Sequence, residues 1–430
     1  MTTRPAASQT DNPPASQPAP AENPGRPTPK GFSIAGITFV LAVLSWMGPF
    51  AIDAYLPSFS AIAKHMQVSK DDVQLTMTAF MLFLAVMSLW HGALADAYGR
   101  RRPILVTLAI FCGASLGCAF AGNVTLLMVF RAMQGATVGA GMIIGRAVIR
   151  DLFEGAAAQR LMSHVATIFA IAPVMAPILG GLFQGWFGWR AIFFFMAGMS
   201  ACMFVCCWFA LPETLPREHR QRLDIAFLAR SYWKVGSAVP FTMSCAALSL
   251  VNIGFFIYIL GAPMFLEEHL KLSEKQYFIL FIPVSIAMVI GAWISGRCAG
   301  KMTGIRTIVV GFIIMAVAAV GNVLLNLTVP PALPWTLAPI FVYVLGMSTA
   351  SPSLTLLSLD LFPSQRGLAA SCQGFIILIA NPVASEFVTL IWGTTLSMAG
   401  AMLGILACAI VAMTLYGVTV KKFHARTGTA

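Results

Sequence analysis

Residues 73–104 of the chain read VQLTMTAFMLFLAVMSLWHGALADAYGRRRPI. The first part, residues 73–95, contains no Asp, Glu, Lys or Arg. It is long enough to cross a bilayer, which takes about 20 apolar residues. The second part is a polar turn that contains Asp96 and the three consecutive arginines Arg100–Arg102. An apolar helix that ends in a basic turn predicts a membrane-spanning segment whose charged end lies in the cytoplasm.

The composition of the whole chain agrees with this interpretation. Of 430 residues, 58% are hydrophobic and only 10% are charged, and the mean hydropathy is +0.82. In a soluble globular protein about a quarter of the residues are charged. The composition therefore excludes a soluble enzyme, a nucleic-acid-binding domain and a small disulfide scaffold.

Apolar runs predict an all-α integral membrane protein with twelve transmembrane helices in two six-helix bundles. The runs lie at 33–60, 73–95, 103–121, 124–150, 159–184, 189–211, 237–264, 275–299, 306–327, 333–361, 366–392 and 394–420. The predicted domains are an N-terminal bundle (33–211), a cytoplasmic linker (212–236), a C-terminal bundle (237–420) and a cytoplasmic tail (421–430). Residues 1–32 are rich in proline and lack the apolar core of a signal peptide, which predicts a disordered cytoplasmic tail.

The basic residues predict the orientation of the chain. The net charge is +11, which in a soluble protein would suggest a nucleic-acid partner. Here the basic residues cluster in alternate loops, as the positive-inside rule expects, so we predict no nucleic-acid partner and place both termini in the cytoplasm. None of the nine cysteines has the spacing of a metal site or of a disulfide between loops. The loops assigned to the outer side hold few basic residues: Lys64, Lys70, Arg190, Lys271 and Lys275.

The two halves resemble copies of one another. The stretch 92–101 after the second helix corresponds to 297–306 after the eighth, and Asp151-Leu-Phe corresponds to Asp360-Leu-Phe. The two offsets are nearly equal, which indicates a duplication. Parallel repeats of this kind are typical of alternating-access transporters.

Several motifs are similar to those of the major facilitator superfamily. Residues 92–104 (GALADAYGRRRPI) resemble its loop signature between helices two and three, and Leu127-x-x-x-Arg131-x-x-Gln134-Gly135 resembles its fourth-helix motif. Residues 172–181 (APVMAPILGG) resemble the fifth-helix motif of its antiporters, although Ala176 replaces a glycine.

Further stretches resemble the bicyclomycin- and chloramphenicol-resistance (Bcr/CflA) group of drug:proton antiporters. They are Asp53–Pro57, Arg150–Asp151, Trp189–Phe193 and Pro212–Leu215. The resemblance implies a protein of the bacterial inner membrane that exports small molecules, usually as a monomer, and that uses a proton gradient rather than a cofactor.

Three ionisable residues lie inside predicted membrane helices: Asp53, Arg131 and Glu386. Such groups are costly in a membrane and are functional candidates by default. From the predicted helix ends, each lies roughly 10 Å below the outer face. We expect Asp53 to carry the proton and Arg131 to tune it; the alternative is a static Asp–Arg pair. Glu386 could attract a cationic substrate, take part in coupling, or simply reach the outer water.

The basic turn predicts a cytoplasmic gate. Its glycines permit a tight turn, and its charges can form a latch that holds the cytoplasmic side closed in one state. The alternative is that the arginines only anchor the topology. The candidate gate residues are Gly92, Asp96, Gly99, Arg100, Arg101 and Asp151.

A substrate cavity needs apolar and aromatic walls with a few polar groups. Most aromatic residues of the chain are expected to serve packing or to face lipid instead. The candidates on helices one, four, seven and eleven are Trp46, Tyr55, Gln134, Asn252, Phe256, Tyr258 and Glu386.

The predicted function is therefore the export of small drug-like molecules in exchange for protons. No nucleotide-binding motif is present, so an ion gradient must supply the energy. The predicted partners are a small-molecule substrate, protons and membrane lipid. One alternative is the same fold carrying a metabolite such as an amino acid or sugar. A membrane-embedded enzyme or a channel is the other, but the chain shows no catalytic constellation.

Overall fold

The computed structural model describes residues 34–152, 161, 165, 172–220, 223–298, 301–362 and 366–427. Within these ranges the protein is all helical, without a strand. Eleven helical stretches are long and apolar enough to span a membrane. The predicted tail at 1–32 lies outside the described residues.

The N-terminal half contains seven of the described α-helices. In it α3 packs against α5, and α4 packs against both α5 and α7. The helix α6 belongs to the span predicted at 159–184, of which only residues 161, 165 and those from 172 onward are described. The seven helices are α1 (Ile34–Asp53), α2 (Phe59–Met66), α3 (Lys70–Tyr98), α4 (Arg101–Ala119), α5 (Val124–Leu152), α6 (Ala172–Phe187) and α7 (Arg190–Ala210).

The C-terminal half repeats this arrangement after a connecting helix, α8 (Ile225–Gly236). In it α11 packs against α12, and α9 packs against α13 and α14. The all-α fold of two six-helix bundles is thus confirmed. The remaining helices are α9 (Val239–Leu260), α10 (Phe278–Cys298), α11 (Gly304–Thr328), α12 (Ala338–Leu359), α13 (Arg366–Ile391) and α14 (Thr395–Thr427), and a π-helical turn (Pro263–His269) follows α9.

The first span differs from the prediction of one helix over 33–60. The helix α1 ends at Asp53, because Pro57 has no N–H to bond the carbonyl four residues earlier. A short 3₁₀ turn (Leu56–Ser58) leads into α2. The whole apolar span runs over Phe39–Met66, and Asp53 lies near the middle of this stretch. Its depth of roughly 10 Å below the outer face stays a prediction.

Glycines allow the helices of the N-terminal half to approach closely. A Cβ atom at Gly135 on α5 would strike the carbonyl oxygen of Phe80 on α3. Likewise, a Cβ atom at Gly180 on α6 would strike the carbonyl oxygen of Ala54. Small residues at such crossings are typical of packed membrane helices.

Candidate functional site

Arg131 on α5 is fully buried and reaches the broken end of α1. Its Nη1 donates to the carbonyl oxygen of Ala51 and to Oε1 of Gln134, both at 2.9 Å. Its guanidinium lies between the rings of Tyr55 and Phe80, at 4.4 and 4.3 Å from their centroids. The last carbonyls of a helix lack intrahelical partners and form the negative end of its dipole. Arg131 therefore binds and stabilises the end of α1.

The hydrogen bonds of this network continue into α3 and α4. The hydroxyl of Tyr55 lies 2.7 Å from Oγ1 of Thr76, and Nε2 of Gln134 donates to Oγ of Ser115 at 2.7 Å. Tyr55 and Gln134 are both fully buried. The structure therefore places these two predicted cavity residues inside the N-terminal bundle, where they hold helices together.

Asp53 stands apart from this network. Its side chain is only 7% exposed. Within the described residues its carboxyl group has no hydrogen-bond partner, and it forms no ion pair with Arg131. The static Asp–Arg pair considered above is thus not formed here. A buried carboxyl group within a membrane-spanning stretch, without a partner among the described residues, is a candidate functional site.

The other predicted cavity residues occupy different surroundings. Trp46 stacks on Phe50 of its own helix and is partly buried, as is Phe256 on α9. Asn252 is also partly buried, and its Nδ2 donates at 2.6 Å to the carbonyl of Leu248, one turn earlier on α9.

Two further cavity candidates, Tyr258 and Glu386, lie in the C-terminal half, away from Arg131 and its hydrogen-bond partners. Tyr258 is buried within the C-terminal half, where its hydroxyl accepts a 2.7 Å hydrogen bond from Asn322 on α11. Glu386 lies on the exposed face of α13, together with Val383 and Leu390, which are 67% and 80% exposed. A role in substrate binding stays a prediction for both.

Arg100 organises a charged cluster at the end of the N-terminal half that the basic residues predict to be cytoplasmic. It contacts Asp96 (Nη1 to Oδ1, 2.5 Å) and Asp151 (Nε to Oδ2, 3.0 Å), and its backbone N–H donates to Glu213 Oε1 at 2.8 Å. Burial lowers the pKa of Arg100, but the bonds and charges of Asp151 and Asp96 raise it, and its net value is above the usual one. Gly99 has a φ of +91°, which favours glycine.

Two predicted gate residues do not join this cluster. Arg101 donates to the carbonyl oxygen of Trp208 instead, and a Cβ atom at Gly92 would contact no atom of the described chain. Two members of the cluster, Glu213 and Thr214, were not assigned to the gate in the sequence analysis. The hydroxyl of Thr214 donates to Asp151 at 2.9 Å. All bonded members among the described residues belong to the N-terminal half or to the segment directly after α7.

Polar contacts between the halves gather at the outer ends of the helices. Nζ of Lys70 on α3 donates to Oε1 of Glu268 at 2.6 Å and lies 3.9 Å from Oε2 of Glu267. Glu267 also accepts hydrogen bonds from Ser60 on α2 and, at 3.0 Å, from the hydroxyl of Tyr277. We call these five residues the outer latch.

A second polar contact lies deeper between the halves. Oγ of Ser385 on α13 contacts Nε2 of Gln74 at 2.7 Å and Oγ1 of Thr78 at 2.9 Å, both on α3. Towards the cytoplasm, the hydroxyl of Tyr232 on α8 donates to the carbonyl of Leu89 at 3.4 Å. Among the described residues, the hydrogen bonds between the halves that are shorter than 3 Å thus lie on the side predicted to face outward.

His91 on α3 is a buried ionisable residue that the sequence analysis missed. Its Nε2 lies 3.2 Å from the carbonyl of Ala136, and its Nδ1 has no partner in the described part of the chain. A histidine within an apolar run was the available signal.

Comparisons with known proteins agree with this architecture. The profile of the Major Facilitator Superfamily matches residues 37–385. An uncharacterized MFS-type transporter of Bacillus subtilis, YdgK, is 29% identical over 397 residues, which cover 92% of this chain and 98% of that protein. A bicyclomycin resistance protein homolog of Haemophilus influenzae is 28% identical over 272 residues, which cover 61% of this chain and 66% of that protein.

Solved structures show the same fold at lower sequence identity. A bacterial homolog of the human lysosomal transporter Spinster superposes with a TM-score of 0.70 at 14% identity, covering 90% of this chain and 97% of that one. The two bundles, the buried polar centre and the family match together define a multi-pass membrane transporter. The chain belongs to the Major Facilitator Superfamily.

Proposed function

We propose that this protein exports small drug-like molecules across a bacterial inner membrane in exchange for protons, by alternating access. The observation that carries the proposal is Asp53, a buried carboxyl group within a membrane-spanning stretch and without a partner among the described residues. The family match and the name of the Haemophilus relative support drug export. In this proposal both termini lie in the cytoplasm and the transporter works as a monomer.

Asp53 is the proton carrier in this mechanism. It takes up a proton when the site opens to the outside and releases it when the site opens to the cytoplasm. A carboxyl group can exchange a proton in this way only if no strong ion pair holds its charge. Among the described residues Asp53 meets this requirement, because it forms no ion pair and the buried guanidinium of Arg131 donates to Ala51 and Gln134 instead.

Arg131 acts as a positioning residue. Its hydrogen bond to the carbonyl of Ala51, two residues before Asp53, holds the end of α1 and so fixes where the carboxyl group lies. Its charge is balanced by the helix dipole and by the faces of two aromatic rings rather than by the proton carrier.

Alternating access requires the outer latch to open and close. The latch contacts between Lys70 and Glu268, and between Ser60 and Glu267, join the two halves in the present form. The Arg100 cluster holds together the cytoplasmic ends of α3, α4 and α5, so these ends move as one body. Trp46 and Phe256, partly buried on helices of opposite halves, are the best-placed candidates to contact substrate.

The energy of one proton is sufficient for useful export. One charge that crosses 100 mV releases about 2.3 kcal/mol. At about 1.4 kcal/mol per decade this supports roughly a fifty-fold gradient of a neutral solute.

Substrate-induced proton release tests the proposal. Purified protein in detergent is mixed with a panel of drugs and metabolites in weakly buffered solution, and the pH change is recorded. We expect drugs to release protons from the wild type but not from Asp53→Asn. The matched control is Asp71→Asn, an exposed carboxylate at the start of α3, which should behave like the wild type.

Two results would contradict the proposal. Proton release from Asp53→Asn equal to that from the wild type would remove Asp53 from the coupling step. Release caused by amino acids or sugars, but not by drugs, would leave the coupling intact and assign a metabolite as the substrate.

A further inference from the structure

A depression of about 420 Å³ opens on the cytoplasmic side of the N-terminal half. Its wall is formed by the start of α4 and by the segment that follows α7. The charged residues that line it are Arg101, Arg102, Glu213, Arg217 and Arg220. The transport mechanism proposed above uses none of its arginines. We call this depression the basic pocket.

The single carboxylate of the basic pocket does not neutralise it. Oε1 of Glu213 accepts hydrogen bonds from the backbone N–H groups of Arg100 and Leu215, at 2.8 and 3.1 Å. Its Oε2 lies 3.6 Å from Nη2 of Arg220. Glu213 is therefore already bonded to the backbone and to one of the four arginines.

The other arginines of the basic pocket have free capacity for an anion. Among the residues that the structure describes, no carboxylate forms an ion pair with Arg101, Arg102 or Arg217. The Nε atoms of Arg101 and Arg220 are buried without a hydrogen-bond partner in the same part of the chain. Guanidinium groups bind phosphate through paired N–H donors, so this charge and these donors suit a phosphate group.

The surroundings of the basic pocket place it at the membrane surface. The guanidinium of Arg101 lies 5.6 Å from the ring centroid of Trp208, which is 52% exposed. Trp side chains are enriched where membrane meets water. The same helices, α4 and α7, expose the apolar side chains of Val106, Val205 and Phe209 beside the pocket. A ligand with a phosphate head and acyl chains matches both parts of this surface.

We propose that the basic pocket binds the phosphate headgroup of an anionic phospholipid from the cytoplasmic leaflet. The headgroup lies among Arg101, Arg102 and Arg217, and its acyl chains lie against α4 and α7. Because Glu213 links the pocket to the backbone of Arg100, a bound lipid also contacts the edge of the Arg100 cluster. This site is independent of whether Asp53 carries the proton.

Native mass spectrometry of the detergent-purified full chain tests the site. Phosphatidylglycerol is titrated against the wild type and against the double variant Arg102→Gln/Arg217→Gln, and phosphatidylcholine serves as the zwitterionic comparison. Each basic side chain near an anionic leaflet contributes about fivefold to binding. We therefore expect the double variant to bind phosphatidylglycerol about 25-fold more weakly, with phosphatidylcholine binding unchanged.

The matched control is Arg297→Gln/Arg306→Gln. These two arginines are exposed at the cytoplasmic ends of α10 and α11, in the half of the chain without this pocket. The control should bind phosphatidylglycerol as the wild type does. The variant Arg102→Lys/Arg217→Lys keeps the charge but loses the paired donors, so its affinity should fall between those of the wild type and the glutamine variant.

Three outcomes would overturn the proposal. One is an equal loss of phosphatidylglycerol binding in the pocket variant and in the control. This result would mean that the lipid is attracted unspecifically to basic surfaces. A second is displacement of the lipid by millimolar glycerol phosphate, which would assign the pocket to a soluble anion. The third is a wild type that binds phosphatidylglycerol no better than phosphatidylcholine, a result that requires no variant to fold.

Discussion

Charge reversal at Lys70 should weaken the outer latch and shift the transporter toward forms whose outer end is open. In the present form the ammonium of Lys70 bonds Glu268 at 2.6 Å and lies 3.9 Å from Glu267. Lys70→Glu replaces both attractions with repulsions between carboxylates of opposite halves. Because the latch joins the two halves, this change acts on their separation rather than on the folding of either half.

The size of the effect follows from the geometry and exposure of the latch. The side chains of Lys70 and Glu268 are 23% and 46% exposed, so water screens their interaction. An exposed ion pair contributes about 0.2–1 kcal/mol, and two like charges about 4 Å apart in water repel by about 1 kcal/mol. The combined change is about 1–2 kcal/mol, which corresponds to a shift of roughly fivefold to thirtyfold in the ratio of closed to open forms.

Distance measurement between spin labels detects this shift. Labels at Lys64 on α2 and Lys271 after the π-helical turn report the outer separation of the halves, with the exposed native cysteines replaced by serine. We expect Lys70→Glu to broaden the distance distribution toward longer values and Lys70→Glu/Glu268→Lys to restore it in part, because Glu267 still repels the new carboxylate. The reasoning is refuted if Lys70→Glu leaves the distribution unchanged, or if the double reversal brings no return toward that of the wild type.

Two further predictions concern the packing of the N-terminal half. Gly135→Ala should lower the thermal unfolding temperature in detergent by several degrees, because its methyl group would meet the carbonyl of Phe80, and overpacking costs about 1–3 kcal/mol. The control Gly113→Ala, where a methyl group would contact no atom of the described residues, should unfold like the wild type; equal temperatures for both variants would contradict the packing argument. Arg131→Lys should lower stability by about 2 kcal/mol or more and reduce export at least tenfold, because lysine cannot reproduce its hydrogen bonds and ring contacts. Wild-type unfolding and export in Arg131→Lys would show that these contacts are dispensable.

The sequence was sufficient to predict the fold class and most helices. The ninth predicted span, for example, was expected at 306–327 and is observed as α11 (Gly304–Thr328). A membrane helix must satisfy its backbone hydrogen bonds internally, so a long apolar run has few other structures open to it. This constraint makes the spans of such a protein easier to predict than the strands and helices of a soluble one.

The break in the first span could not be predicted in the same way. Pro49 and Pro177 lie inside helices that continue past them. Pro57, in contrast, lies in the 3₁₀ turn that follows the end of α1. The difference depends on whether another group binds the carbonyls that a break exposes. Here Arg131, from a helix that begins seventy residues later, binds the carbonyl of Ala51. Helix periodicity contains no information on such a contact.

The sequence identified residues of the candidate site but did not predict which of them contact one another. Asp53 and Arg131 were conspicuous as charges in apolar runs, yet the structure brings Arg131 to a backbone carbonyl, and Asp53 forms no ion pair with any described residue. The outer latch was missed because Lys70 and Glu268 are ordinary loop-end charges in sequence. Only the packing of the two halves brings them together.

Drug efflux from proteoliposomes is the most direct test of the central role of Asp53. Wild type, Asp53→Asn and the exposed control Asp71→Asn are reconstituted, and drug movement is followed with and without an imposed proton gradient. The account predicts that the gradient accelerates transport by the wild type and the control but not by Asp53→Asn, although all three insert equally. Gradient-driven transport by Asp53→Asn at the wild-type rate would contradict it.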